Sequence, residues 1–308
     1  MARRIVDGIL LLDKPLEVSS NGILQRVRWL YQAEKAGHTG ALDPLASGLL
    51  PICFGEATKF SQFLLDTDKT YEVSARFGVR TDTSDAAGEI ISEKPVNFDL
   101  AQLQQAVEKM RGPQLQVPTM FSALKYQGQP LYKYARQGIT VPRDARPINI
   151  FRFELLDFDG KDARFIVHCS KGTYIRTLID DLGETLGSGA YVTALRRTQV
   201  GPFQASQMLT DELLAPLNQA QDWSGLDALL LPMDYALAGL PRLTLEPAAV
   251  KRLRHGQTVL LTPELLVMMP AGPNDAIALY DEQQSFIGVG MQDGAELKVR
   301  RLLNTANS

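Results

Sequence analysis

Gly37-His38-Thr39-Gly40-Ala41-Leu42-Asp43-Pro44-Leu45-Ala46-Ser47-Gly48 is the stretch on which the reading of this 308-residue chain turns. It runs on through apolar residues to Phe54, so over that span a single carboxylate, Asp43, stands among glycines, prolines and hydrocarbon. An aspartate placed there has few local partners. If folding buries it, it must meet a cation from elsewhere in the chain or carry chemistry, because an unpaired buried charge is costly. Asp-Pro alone marks a turn, since the Asp side chain bonds nearby amides and Pro fixes φ. On turn propensity by itself, Asp43 is structural.

Composition narrows the setting. Hydrophobic residues make up 45% and charged residues 22% of the chain, which suits a globular protein with a proper core. Cys53 and Cys169 lie in apolar surroundings with no paired motif, so they read as reduced thiols of a cytoplasmic protein. His38, His168 and His255 are far apart and fit no metal-ligand spacing, so no metal site is expected. No apolar run approaches the roughly 20 residues that cross a bilayer. The basic-then-apolar N-terminus is interrupted by Asp7 and Asp13, and it reads as a first strand rather than a signal peptide.

The net charge of −3 argues mildly against indiscriminate nucleic-acid binding, but local patches are independent of the total. Residues 119–146 carry five cations (Lys125, Lys133, Arg136, Arg143, Arg146) against one acid (Asp144), a local balance of +4. Phe121, Tyr126, Tyr132 and Tyr134 are interleaved with them. Cations attract phosphates and rings stack on splayed bases, so the segment suits RNA. Taken alone it fits better a solvated amphipathic helix with a tyrosine stripe packed on the core.

Hydrophobic periodicity predicts a strand at Ile9–Leu12 and a helix capped near Ser19 with Ile23, Leu24, Val27, Leu30 and Tyr31 on one face. It further predicts a helix at Ala57–Leu65, a strand at Thr70–Gly78 and a polar loop at 81–88. Asp99 caps a helix that Gly112-Pro113 ends. A short helix follows around Pro130–Gln137, then paired strands at Ile148–Phe158 and Ala163–Ser170 and a helix from about Thr177 to Leu186. Residues 205–240 are helical in character. From Leu243 a helix at Pro247–Arg254 precedes short strands at Val259–Leu261, Leu266–Met268, Ala276–Tyr280, Phe286–Gly290 and Leu297–Leu302, spaced as in a small β-barrel. The chain thus divides into an α+β body, residues 1–240, and a near-neutral barrel tail, residues 243–308.

The Gly37–Gly48 run resembles, at nearly every position, the catalytic loop of the TruB family of pseudouridine synthases. A second run, Lys171-Gly172-Thr173-Tyr174-Ile175-Arg176, resembles the family's strand-to-helix junction, and Tyr71 after Asp68-Lys69-Thr70 matches its active-site tyrosine. The resemblance extends over residues 8–203. It implies a mixed, largely antiparallel sheet with surrounding helices, and a PUA-like RNA-binding tail. It also implies isomerisation of the T-loop uridine of tRNA (position 55) to pseudouridine, as in the stand-alone bacterial members. That reaction breaks an N-glycosidic bond, turns the uracil and rejoins it through carbon. It needs no redox step or group donor, so no cofactor is implied.

By the same resemblance Asp43 is the catalytic carboxylate, as nucleophile or as stabiliser of a glycosyl intermediate. Whether it attacks sugar or base stays open. Arg176 pairs with it and holds it ionised, an Arg neighbour lowering an Asp pKa by about 1–3 units. Tyr71 stacks on the uracil and is a candidate base, a poor one given a free pKa near 10. Tyr174 packs under the base, Leu195 walls the pocket, His38 fills the gap left by the extruded nucleotide, and Asp85 lies near the site. Lys14-Pro15 supports the loop, and Arg196 and Arg197 meet phosphate. Lys125, Tyr126, Lys133 and Arg136 belong to the RNA-gripping insertion 119–146. The expected partner is the tRNA T-arm, met by a monomer without membrane or obligatory protein partner. Two alternatives remain: a guide-RNA-dependent synthase, and a non-catalytic tRNA-binding or folding protein.

Overall fold

A computed structural model describes residues 3–268 and 276–304. Among these, a nine-stranded sheet forms the body. Its main path runs Gly8–Lys14, Ala46–Phe54, Ala190–Val200, Lys69–Phe77, Asp162–Cys169, Arg146–Phe158 and Gly112–Gln116. Ala36–His38 adds to Ala46–Phe54, and Phe203–Gln204 to Ala190–Val200. Ladders are antiparallel except the one between Ala46–Phe54 and Ala190–Val200, which is parallel. The fold class is α+β with a largely antiparallel sheet, as expected.

Local chemistry explains the helices. Ser19 accepts a hydrogen bond from the Gly22 amide (3.0 Å) and caps Ser20–Leu30. That helix buries Ile23, Leu24, Val27 and Leu30 on one sheet face, each contributing about 1.5–3 kcal/mol at most. Asp99 and Gln102 form a reciprocal capping box at the start of Leu100–Lys109. This helix and Ile175–Thr185 cover the opposite face through Leu103, Val107, Leu178, Ile179 and Leu182. The stretch at Ala57–Leu65 is a 3-10 turn, Gly55–Phe60, continued by the α-helix Ser61–Leu65.

Three details differ from expectation. Gly112-Pro113 does more than stop a helix: it opens the strand Gly112–Gln116, where proline is tolerated because the strand is at the sheet edge. Ala46–Phe54 and Ala190–Val200 are central strands with no strand forecast. The first is buried on both faces and contains Pro51, so it shows no alternation; the second hides a charged residue among its inward positions. In the tail, Leu266–Met268 belongs to the helix Pro263–Met268 instead of a strand. Pro at the first helical position suits a helix start.

The tail strands Arg242–Thr244, Ala276–Tyr280, Phe286–Asp293, Glu296–Leu302 and Val259–Leu260 hydrogen-bond in that order and curl into a PUA-like half-barrel. Its outer strands do not pair with each other among the described residues. One face of this sheet joins the body. Ala276, Ala278, Tyr280 and Val289 share a core with Ile9, Leu49, Phe60 and Leu237. Phe286 meets Phe60 edge-on at 5.2 Å, and the Tyr280 hydroxyl donates to Asp234 at 2.8 Å. No described helix is long and apolar enough to cross a membrane.

Candidate active site

The loop Gly40–Leu45 lies between Ala36–His38 and Ala46–Phe54, and register places its exit beside two other strands. Ala46 pairs with Leu195 and Gly48 with Arg197, while Leu195 and Arg197 pair on their other side with Val73 and Tyr71. Residues distant in sequence are thereby brought to one end of the sheet. Ser20 reinforces the loop: its hydroxyl accepts from the Leu42 amide (2.7 Å) and donates to the Leu42 carbonyl (2.9 Å). Lys14, fully buried, donates to the Pro15 and Val18 carbonyls (both 2.7 Å).

The result is a pocket of about 320 Å³, lined among others by Leu42, Asp43, Tyr71, Phe121, Tyr174, Arg176 and Leu195. This is large enough for a planar base and its sugar. Arg176 enters from the first turn of Ile175–Thr185 and is only 5% exposed. Its Nη2 lies 2.9 Å from an Asp43 oxygen and donates to the Phe121 carbonyl (2.8 Å). Its Nη1 lies 3.0 Å from Asp85 and donates to the Thr83 carbonyl (3.3 Å). One guanidinium thus bridges two carboxylates and anchors the insertion.

Asp43 is the open member of this group. Its side chain is 42% exposed, at the pocket floor, while protein surrounds it on the remaining sides. That desolvation pushes its pKa above the ordinary carboxylate value. Arg176 pulls the other way, Asp85 adds to the rise and Lys14 offsets part of it. Arg176 does pair with this acid, while burial and the second carboxylate set the direction of its pKa against the pull of the pair.

Tyr71 is nearly buried, and burial raises its phenol pKa despite Arg197 close by. The hydroxyl stays protonated near neutrality, and the residue lines the pocket. Tyr174 is half-buried on the pocket wall, its backbone held by Gln116 through bonds of 2.8 and 3.1 Å. Leu195 also lines the pocket.

Other expected residues stand elsewhere. Asp85, 3% exposed, sits behind Arg176, bound by Thr83 (2.6 Å) and the Ala87 amide (3.0 Å), and does not line the pocket. His38 is half-buried outside the lining; burial, with Arg197 nearby, lowers its pKa and keeps it neutral at pH 7. Lys125, Lys133 and Arg136 are exposed on a hairpin and the short helix Leu131–Ala135. There Tyr134 donates to the Tyr126 carbonyl (3.2 Å), and Arg136 lies over the Tyr132 ring at 5.4 Å.

Arg197 does not offer itself to phosphate, and Arg196, partly exposed, is already paired. Arg196 makes a two-pronged pair with Asp13 (2.6 and 3.0 Å), and Arg197 is buried. Period-two alternation in Ala190–Val200 puts Leu195 and Arg197 on one inward face, a signal available in the sequence. Lys69 also lines the pocket unforeseen. It caps Ser61–Leu65 through the Leu64, Leu65 and Thr67 carbonyls, and burial lowers its pKa to about 8.

Known family models cover most of the chain. Residues 28–175 match the model of the TruB family pseudouridylate synthase N-terminal domain. Residues 176–238 match the tRNA pseudouridylate synthase B C-terminal domain, and residues 241–303 the pseudouridine synthase II TruB C-terminal domain. The chain is 51% identical over 300 residues to a tRNA pseudouridine synthase B of Haemophilus influenzae strain PittEE, covering 97% of this chain and 96% of the relative. Identity is also 51%, over 309 residues, to a protein of the same name from Vibrio cholerae strain O395, with 97% and 96% covered. A solved structure described as a Cbf5-Nop10-Gar1 complex superposes with a TM-score of 0.75 at 25% identity, over 97% of this chain and 85% of that one. A site that joins two carboxylates through one arginine beneath a base-sized pocket is thus found in a chain that belongs to the TruB family of pseudouridine synthases.

Proposed function

We propose that the protein isomerises the T-loop uridine of tRNA, at position 55, to pseudouridine, with Asp43 as the catalytic carboxylate. The observation that carries this reading is the Asp43–Arg176 pair at 2.9 Å on the floor of a base-sized pocket. A uridine in the stacked T-loop must leave its stack to reach such a floor, at a cost of a few kcal/mol. Lys125, Tyr126, Lys133 and Arg136 grip the T-arm backbone and bases, residues 243–308 add RNA contacts, and His38 occupies the vacated space. Residues 1–240 form the catalytic domain.

Once the base is in the pocket, Tyr71 stacks on it while Leu195 and Tyr174 bound its faces. Arg176 fixes which Asp43 oxygen points at the substrate. The N1–C1′ bond breaks, the uracil turns, and a C5–C1′ bond forms; the proton leaving C5 is balanced by one gained at N1. The group doing the attacking must be the carboxylate form. Burial disfavours that form of Asp43 and Arg176 favours it. The protein works as a monomer in the cytoplasm, without a guide RNA or protein partner. A tRNA-folding activity would use the same grip and would survive Asp43→Asn.

The test is the purified protein alone with an unmodified tRNA transcript, pseudouridine being located by carbodiimide-dependent reverse-transcription stops. The reading expects product at the T-loop position and none when cytidine replaces that uridine. Product only at other positions, or only with added guide RNA, overturns it.

A further inference from the structure

Arg197 is among the largest fully buried side chains in the protein, at 2% exposure. Burying a guanidinium is expensive unless its donors are met. Here they are met by oxygens that carry no formal charge. Nε donates to the Leu49 carbonyl (2.7 Å) and Nη2 to the Gly40 carbonyl (3.0 Å), while the Tyr71 hydroxyl lies within hydrogen-bonding reach. Gly40 precedes Asp43 and Leu49 follows it. Arg197 therefore holds both ends of the Asp43 loop and the phenol that closes the pocket opposite.

The backbone repeats the same connection. Arg197 pairs with Gly48 on one side and with Tyr71 on the other. A guanidinium placed only for stability would do better beside a carboxylate, and hydrophobic replacement of buried charge is often neutral or favourable. What these bonds define is a spacing: the gap between the carboxylate of Asp43 and the ring of Tyr71.

We propose that Arg197 is a positioning residue for isomerisation, tying Gly40 and Leu49 to the Tyr71 hydroxyl so that carboxylate and ring stand one base apart. The inference rests on the roles of Asp43 and Tyr71 given above. Arg197 borders the pocket, but its Nε and Nη2 are taken up by the Leu49 and Gly40 carbonyls, so it acts through the loop and the ring it holds.

The experiment compares wild type, Arg197→Lys, Tyr71→Phe and the double variant. Single-turnover rate, tRNA Kd and thermal midpoint are measured for each. Lysine keeps the charge but cannot reach three oxygens in a fixed plane. Arg197→Lys is expected to slow single turnover by about 100-fold, the cost of an ångström-scale misplacement, with tRNA affinity within about twofold. In the Tyr71→Phe background the same change should cost about fivefold less or better, because the tie is already cut.

Additive losses overturn the proposal, as does an Arg197→Lys protein that turns over at the wild-type rate per folded molecule. Should Arg197→Lys fail to fold, Tyr71→Phe alone decides. An anchoring hydroxyl predicts a slower rate with the same pH dependence from about pH 6 to 9, whereas an unchanged rate or an altered pH profile overturns the proposal. Wild-type turnover separates the two layers. Its absence refutes the functional reading, while its presence with additive losses refutes only the role of Arg197.

Discussion

Gly48→Ala reports on how tightly the catalytic loop is clamped. Gly48 has φ of +100°, a region that disfavours a side chain, and an added Cβ would stand 2.3 Å from the Arg197 carbonyl oxygen and 2.9 Å from its nitrogen. Backbone, not a flexible tip, is the obstacle, so the parallel ladder must open by close to an ångström. The strained φ costs about 1–3 kcal/mol, and one or two weakened ladder bonds add about 1 kcal/mol each. A total of about 2–5 kcal/mol predicts a thermal midpoint lowered by roughly 5–15 °C in a chain of this size. Because Gly48 lies just beyond the Asp43 loop, the displacement reaches the carboxylate, and turnover should fall about 100-fold. Differential scanning calorimetry and single-turnover pseudouridine formation measure the two effects. A variant that melts within about 1 °C of wild type and turns over normally would refute the clamp.

Further outcomes follow from the same geometry. Arg176→Gln removes a cation that lowers the Asp43 pKa and leaves the burial that raises it, so the acidic limb of the pH–rate profile should move to higher pH. An unmoved limb would show that Asp43 is not the titrating group. Deleting residues 243–308 should destabilise the body instead of only weakening RNA binding, since it uncovers Phe60 and its neighbours at about 2–3 kcal/mol per large ring. A truncated protein melting like the full chain would contradict the shared core. Replacing Lys125, Lys133 and Arg136 with alanine should weaken tRNA binding and flatten its salt dependence, read from Kd against salt concentration. An unaltered slope would remove these residues from the phosphate contact.

Much of this was legible where residues obey local rules. Ser19 and Asp99 announce their helices, Lys69–Phe77 alternates as a half-buried strand does, and Pro247–Arg254 has its proline at the helix start. A lone carboxylate in hydrocarbon requires a distant cation; that this cation is Arg176 is what the resemblance of Lys171–Arg176 to the family's strand-to-helix junction implies. What stayed hidden depends on tertiary pairing. Ala46–Phe54 is apolar on both faces, and nothing within it distinguishes a central strand from a buried turn. The sequence suggests phosphate for Arg197; its burial follows from three oxygens contributed by segments about 150 and 125 positions away in sequence. The direction of the Asp43 pKa shift was likewise not available, since it depends on how much protein surrounds the carboxylate and on Asp85 arriving through Arg176. The division at residue 240 describes sequence pattern; in space the two parts share a core.

The most direct test of the account is Asp43→Asn assayed on tRNA transcript alongside a binding measurement. Asparagine has nearly the same shape and can still accept from Arg176, so fold and tRNA affinity should be retained, but it supplies no carboxylate. The account predicts no pseudouridine from a folded variant that binds tRNA normally. Undiminished pseudouridine formation by that variant would contradict it.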